Sequence, residues 1–363
     1  MISVPCHLCS GPLTRIEGYA RLGGVTSDCR PWPAGGDLAC CDACGTVQKP
    51  LTPDWHDEAG RIYGGYRIYS QSGGREQKVF TDGAGAARSV RLLDIGCGNG
   101  GLLASAAARL PGWRLTGTEL SDRHRAEIEA IPGVEAFHSG DGSLAAAEGP
   151  YDLVSLVHCL EHIPDPIGFL RGLAGKFAGG GHLVIEVPDF TRNPFDLLIA
   201  DHCTHFSPAG LRHAAAEAGF AADLLSGEVV PKELTFIGHA GPAGGEAPLS
   251  ASASAAAARA AVVWLEGVLR QAETLAARRP FGLFGTAIAA MWLEGCLPGR
   301  VDFFVDEDPD RVGGEIAGRP VLAPSGVPAD AAVFVPLAPS VAAQVCARLG
   351  PAFVAPERFD PAI

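Results

Sequence analysis

Between residues 90 and 190 the chain alternates short apolar runs with turns and helix-compatible stretches, the pattern of a parallel sheet with crossover helices. The first run, Val90-Arg-Leu-Leu-Asp-Ile95, enters the glycine-rich turn Gly96-Cys-Gly-Asn-Gly-Gly101 and then the helix-compatible Leu102–Arg109. A second strand, Trp113–Leu120, ends at Glu119, and a third near Val134–His138 leads to Gly140-Asp141-Gly142. Tyr151–His158 and His182–Val187 read as the fourth and fifth. Ser207 caps a helix with Pro208 in its first turn, ending near Gly219. The stretch Ala240–Pro248 reads as a linker, and a helix is expected over about 250–279, with Val263, Leu265, Val268 and Leu269 at helical spacing. Pro280–Trp292, Val301–Asp306 and Ala331–Leu337 repeat strand–helix–strand, a second Rossmann-like unit. Its first turn holds only Gly282 and Gly285, which points to a scaffold rather than a nucleotide site.

The chemistry sits at the strand ends. Glycines in a strand-to-helix turn let a ligand lie against bare backbone. Gly96, Gly98 and Gly101 also fit the dinucleotide pattern G-x-G-x-x-G. Asp94, just before the first glycine, would repel a pyrophosphate and attract the cationic methionine end of S-adenosylmethionine (SAM). Glu119 stands where an acid accepts hydrogen bonds from both ribose hydroxyls. Asp141 is placed to bind the adenine amine, and Leu120 and His158 complete the expected cofactor pocket with Asp94, Gly96, Gly98 and Glu119.

Residues 90–190 thus resemble a class I SAM-dependent methyltransferase, through Asp94-Ile-Gly-Cys-Gly-Asn-Gly100, Tyr151-Asp-Leu-Val154 and Leu160-Glu-His-Ile-Pro-Asp165 in that order. The fold class expected is α/β: a SAM-type Rossmann-like domain with an N-terminal zinc-binding module and a second, C-terminal Rossmann-like domain.

Four of the eleven cysteines form two knuckles, Cys6-x-x-Cys9 and Cys41-x-x-Cys44. Together they make a four-sulfur zinc site, structural because no coordination position stays open. Reduced, unliganded cysteines are the alternative, and Cys40 competes with Cys41 for the register. Tyr63, Tyr66 and Tyr69 precede the SAM segment, where they form a lid over the cofactor or cover a sheet edge.

The length of 363 residues implies two or three domains. The expected division is a zinc module over 1–50, a connecting segment over 51–88, the SAM domain over 89–245 and the C-terminal domain over 246–363. A formal charge of −13 argues against a nucleic-acid partner. No run of eighteen apolar residues and no signal peptide is read, so no membrane span and a cytoplasmic location are expected. The oligomeric state stays open.

As a whole the chain resembles the three-domain sugar C-methyltransferases, which methylate a deoxyketosugar attached to a nucleotide. The residues that carry this are the four cysteines with Cys44-Gly-Thr-Val-Gln48, the Asp94–Gly100 turn, Glu161-His-Ile-Pro164, Asp201-His202 with Phe206-Ser207, Phe284-Gly-Thr-Ala287, and Val305-Asp-Glu-Asp-Pro309. The resemblance implies that His162 and the Asp201–His202 pair lie near the transferred methyl, one histidine acting as base, with Asp201 orienting His202. The chain departs from the family's pattern: Asp201 replaces a glutamate, Ile199 and Ile68 stand where tyrosines are expected, and Val230–Thr235 lacks the family's arginine segment. Tyr69 and Lys232 are the substitutes at hand. O- or N-methylation of another natural-product or polysaccharide intermediate is the alternative, and a non-catalytic SAM-binding scaffold is the rival of another class. For His162 and His202 a packing role beneath the cofactor or before a capped helix stands beside the catalytic one.

Overall fold

The computed structural model describes residues 2–33, 36–66, 89–242, 250–277 and 280–359. The chain divides into two compact units, each assembled from separate stretches. One holds residues 73–189 and 206–249; the other holds 1–72, 190–205 and 250–363.

The first unit is built on seven strands: β1 (Arg91–Ile95), β2 (Arg114–Glu119), β3 (Val134–Ser139), β4 (Tyr151–Val157), β5 (Phe177–Pro188), β6 (Phe220–Ser226) and β7 (Glu233–Ala240). Their order across the sheet is β3-β2-β1-β4-β5-β7-β6. The first five are parallel and β7 runs antiparallel between β5 and β6. Leu92, Leu93, Leu115, Val154 and Leu156 are fully buried, the near-continuous apolar content of strands covered on both faces. Helix α1 (Gly101–Arg109) follows β1 and packs Leu103 and Ala106 into a cluster with Leu115, Ile128 and Phe137. Helix α2 (Pro208–Glu217) starts where expected, with Ser207 Oγ accepting from Gly210 N–H at 3.1 Å. The antiparallel pair β6–β7 escaped the sequence reading. Phe220-Ala-Ala-Asp-Leu-Leu-Ser226 lacks both alternation and β-branched residues, so its pairing is set by the neighbouring strand.

In the second unit, short strands Leu13–Arg15, Ala39–Cys41, Val47–Gln48 and Thr204–His205 form one small sheet. Strands β8 (Phe281–Phe284), β9 (Phe303–Val305), β10 (Glu315–Ile316), β11 (Arg319–Leu322), β12 (Ala332–Phe334) and β13 (Phe353–Val354) form another, ordered β10-β11-β9-β8-β12-β13. All its pairings but β10–β11 are parallel, so the Rossmann-like expectation holds for the C-terminal part. Gly285 has φ +79°, and Thr286 Oγ1 donates to Asp306 Oδ2 at 2.8 Å. Asp306 Oδ1 also accepts the N–H groups of Glu307 and Asp308, so this carboxylate ties its own loop together.

Helix α3 (Ala251–Leu275) is long and apolar enough to cross a membrane by length and composition alone, which the sequence reading did not anticipate. It buries Ala257, Ala261, Leu265 and Val268 in a core shared with Ile16, Leu22, Phe195 and Trp292, the stripe of a helix packed on one face.

Gly282 in β8 lies opposite Phe303, and a Cβ there would stand 2.3 Å from that ring. The ring is buried and has no room to withdraw. Gly282→Ala is expected to destabilise the protein by about 1–3 kcal/mol, the cost of overpacking, read as a lower denaturant midpoint with an unchanged slope.

Candidate functional site

At the end of β1 the backbone enters the left-handed region three times, at Gly96 (φ +70°), Gly98 (φ +60°) and Gly100 (φ +82°). Side chains rarely adopt this conformation. At Gly96 a Cβ would also meet Cys159 Sγ at 2.9 Å, and at Gly100 the Ile131 side chain at 2.9 Å. The turn is pinned by Gly96 and Cys97 N–H groups donating to Thr118 O, at 2.9 and 3.0 Å. It carries the chain directly into α1 at Gly101.

Glu119, at the end of β2, faces this turn. One carboxylate oxygen accepts from Gly98 N–H at 2.9 Å and the other from Leu120 N–H at 2.7 Å. An ionised carboxylate offers about four acceptor positions, so each oxygen retains capacity for a hydroxyl. The neighbouring Leu120 side chain is 62% exposed, an apolar surface beside the acid. Asp141 is exposed after β3, in the turn opened by Gly140 (φ +88°). Asp94 is buried and accepts from Ser155 Oγ of β4 at 2.7 Å. The turn, Asp94, Glu119, Leu120 and Asp141 are thus gathered at the C-terminal ends of parallel strands, the edge where open α/β sheets bind ligands.

His158 sits just past β4 with φ +52°, a conformation uncommon for a side-chain-bearing residue. Its Nδ1 lies 3.4 Å from Glu161 Oε1 and its Nε2 3.9 Å from Glu186 Oε1. Burial alone would lower its pKa, but Glu233, Glu161 and Glu186 together raise it to about 9. Glu161, Glu186 and Glu233 are themselves buried. Glu186 was missed because it looks, in sequence, like the polar member of an apolar strand, and Glu233 because β7 itself was not read. His162 ends the short 3₁₀ turn Leu160–His162 and is half-buried.

In the other unit, Asp196 is buried between two imidazoles, with Oδ1 2.7 Å from His202 Nδ1 and Oδ2 2.7 Å from His205 Nδ1. Burial pushes the His205 pKa down to about 4 against the pull of Asp196, so His205 is neutral and donates from Nδ1. The two imidazoles hold the Asp196 carboxyl ionised in spite of its burial. The carboxylate on His202 Nδ1 is therefore that of Asp196, a residue the sequence did not single out. Asp201, expected in that role, accepts from Ser27 N–H at 2.9 Å and from Ser27 Oγ at 2.5 Å. Tyr69 lies outside the described residues.

Cys6, Cys9, Cys41 and Cys44 bring their four Sγ atoms within 4.8 Å of one another. Cys6 and Cys44 are 3.7 Å apart, Cys9 and Cys41 3.4 Å. Sulfurs at 2.3 Å from a tetrahedral zinc are about 3.8 Å apart, and a disulfide needs about 2 Å, so the set fits zinc. Leu8 N–H and Cys44 N–H donate to the sulfurs of Cys6 and Cys41, both at 3.4 Å. Burial drives the Cys41 thiol up to about 11; the contact with Cys6, then burial, drives Cys44 up to about 12. A bound dication reverses that penalty. Cys40 turns away and lies 3.6 Å from Gly45 O, which leaves the ligand register to Cys41.

Residues 71–225 match the family model described as a methyltransferase domain. This segment is a methyltransferase domain. It is 31% identical over 133 residues to the ubiquinone biosynthesis O-methyltransferase of Xanthomonas campestris pv. campestris (strain B100), covering 34% of this chain and 54% of that protein. The enzyme of the same name from Xanthomonas oryzae pv. oryzae (strain PXO99A) is 32% identical with the same coverage. The chain therefore spans about half the length of the curated relatives it matches. Among solved structures, an O-methyltransferase family protein from Burkholderia thailandensis aligns with TM-score 0.38 and 18% identity, over 46% of this chain and 55% of that one.

Two outcomes follow for the methyltransferase domain and the cysteine cluster. The folded-state pKa of His158 lies above the ordinary histidine value, so its stabilisation is full below about pH 6.5 and fades as pH rises through about 9. With solvent screening discounted for a ring one-third exposed, the loss is on the order of 1 kcal/mol. His158→Gln should remove that part of the stability–pH profile between pH 6 and 10. Metal analysis should find one zinc per chain, lost in Cys41→Ser. Chelation should speed amide exchange around Cys6–Gly11 and Cys41–Cys44, while Tyr19–Val25, packed in the larger core, stay protected.

Proposed function

We propose that the protein is a SAM-dependent methyltransferase acting on a small molecule, a nucleotide-linked deoxyketosugar methylated at carbon. The observation that carries the SAM reading is the Glu119 carboxylate held by Gly98 and Leu120 N–H groups beside the three-glycine turn. Glu119 takes the ribose hydroxyls, Leu120 lies along the adenine, Asp141 meets its amine, and the bare turn at Gly96 and Gly98 admits the chain of the ligand. Asp94, fixed by Ser155, supplies negative charge toward the cationic methionine end, and His158 lines the same strand edge. SAM supplies a methyl group already activated on a sulfonium. The domain's own work is alignment of the acceptor atom and removal of its proton.

His162 is the proton acceptor in this reading. The Asp201–His202 pair and Tyr69 are carried over as further catalytic groups from the resemblance, and the zinc is structural. The cysteine cluster and the C-terminal Rossmann-like part favour the sugar substrate, because both accompany the methyltransferase domain in the family the whole chain resembles. O-methylation is the second reading, favoured by the names of the Xanthomonas relatives.

Glu119→Ala should weaken SAM binding by about 1–3 kcal/mol, the scale of a hydrogen bond to a charged group, by calorimetric titration. Unchanged affinity would remove the cofactor assignment. Incubation with SAM and a panel of nucleotide ketosugars and phenols, followed by mass spectrometry and NMR of the product, separates methyl on carbon from methyl on oxygen. His162→Asn should lower single-turnover transfer by about 10²–10⁴-fold, the usual share of general base catalysis, while SAM binding is kept.

A further inference from the structure

Gln48 is fully buried beside the cysteine cluster, on the short strand Val47–Gln48. That strand lies between Ala39–Cys41, which carries one of the four cysteines, and Thr204–His205. Gln48 is in register with Ala39 on one side and with Thr204 on the other. Its side chain reaches the first knuckle. Oε1 accepts from His7 N–H at 3.2 Å, and Nε2 lies 3.0 Å from Cys6 Sγ. A backbone N–H can only donate, so the carbonyl end of the amide faces His7. The NH2 end is thereby fixed on the sulfur. It too can only donate, so Cys6 is the acceptor.

Four thiolates on one zinc leave two negative charges, and donors to the sulfurs offset them. Cys9 is exposed and open to water, whereas Cys6 is 2% exposed. The donors to Cys6 are the Gln48 amide and, at 3.4 Å, the Leu8 N–H. His7, between the two cysteines of this knuckle, extends the contact. Its Nε2 lies 2.8 Å from Thr204 Oγ1. Gln48 and His7 thus join the knuckle to the strand Thr204–His205 twice, through the ladder and through side chains. The same strand carries the His205 ring whose Nδ1 meets Asp196.

We propose that Gln48 is a positioning residue for the zinc site, holding Cys6 as a ligand and passing zinc occupancy on to the strand Thr204–His205. The proposal rests on reading the four cysteines as a zinc site. Loss of the metal frees the first knuckle, and with it the fixed places of the His7 N–H and ring. Thr204 then loses its side-chain partner, while Val47, packed in the larger core, holds the neighbouring strand. Metal loss therefore loosens the chain beside Asp196 and His205 as well as the knuckles themselves.

The test uses the full chain, with the unsubstituted protein first assayed for zinc. Gln48→Met keeps the side-chain length and removes the donor. It should weaken zinc binding by about tenfold or more in competition with a chromophoric chelator, the scale for a group that orients a metal ligand. In the cobalt(II) form it should move the sulfur-to-metal charge-transfer band to longer wavelength, because a sulfur without its hydrogen bond gives up charge more readily. Near-UV circular dichroism of Trp264 and Trp292, in the larger core, checks that the variant is folded. Stripping zinc from the unsubstituted protein should speed amide exchange at Thr204 and His205, a readout that needs no variant. No zinc in the unsubstituted protein would overturn the zinc reading and the proposal with it. Zinc bound, but with native affinity and cobalt spectrum in Gln48→Met or with exchange at Thr204 and His205 indifferent to the metal, would overturn the proposal alone.

Discussion

The conformation of the turn after β1 is the constraint on which the methyltransferase domain depends. Three left-handed residues within five positions bring bare backbone to the end of the sheet, and only glycine meets that demand without strain. The same turn places Gly98 N–H on Glu119, which couples the ends of β1 and β2. The parallel order of β3-β2-β1-β4-β5 then sets Asp94, Leu120, Asp141 and His158 at that edge. A side chain at Gly96 would strike Cys159, at the start of the segment that carries Glu161 and His162. The glycine therefore also sets how closely that segment approaches the turn.

Much of this was legible because its signals are local. A strand, a glycine turn and a helix start lie within twenty residues, and an acid at a strand end announces itself by position. The second Rossmann-like unit was legible for the same reason, through Phe281–Phe284, Phe303–Val305 and Ala332–Phe334. What stayed hidden is non-local. Asp196 gains its meaning from imidazoles six and nine residues on, and no periodicity marks a carboxylate that will be buried between them. Glu186 looks like a polar interruption of an apolar strand, and Glu233 belongs to no recognised strand, until β5 and β7 are paired and brought beside His158. Residues 190–205 follow β5 directly, yet they cluster with the chain's two ends, an exchange that composition does not signal.

The N-terminal cysteines invite the view that their metal holds the first fifty residues together, since small polar segments lack a core of their own. The packing divides that role. Ile16, Tyr19, Leu22 and Val25 enter the same core as Trp264 and Trp292, whereas among the described residues Leu8 and Leu13 are the apolar side chains packed on the buried cysteines. Hydrophobic burial accounts for the segment after Arg15, and the four sulfurs account for the knuckles. Buried Lys49 lies between these regimes. Burial lowers its pKa to about 7, against the pull of Asp196 and Asp201, and its Nζ donates to Leu197 O at 2.6 Å.

Residue type alone does not decide which histidine handles a proton. Imidazole is useful as a base near neutrality only when its environment leaves it uncharged and accessible. His205 is uncharged, but its side chain is fully buried. His158 is a third exposed, but three glutamates keep it protonated up to about pH 9, so it acts as a cation or donor rather than an acceptor. Protonated, it offsets part of the negative charge that Glu161, Glu186 and Glu233 place under the strand edge. His162, four residues beyond His158, is half-buried at the end of the 3₁₀ turn that follows β4. Partial exposure beside the end of β4 is what the proposal of His162 as proton acceptor adds to its place in the motif.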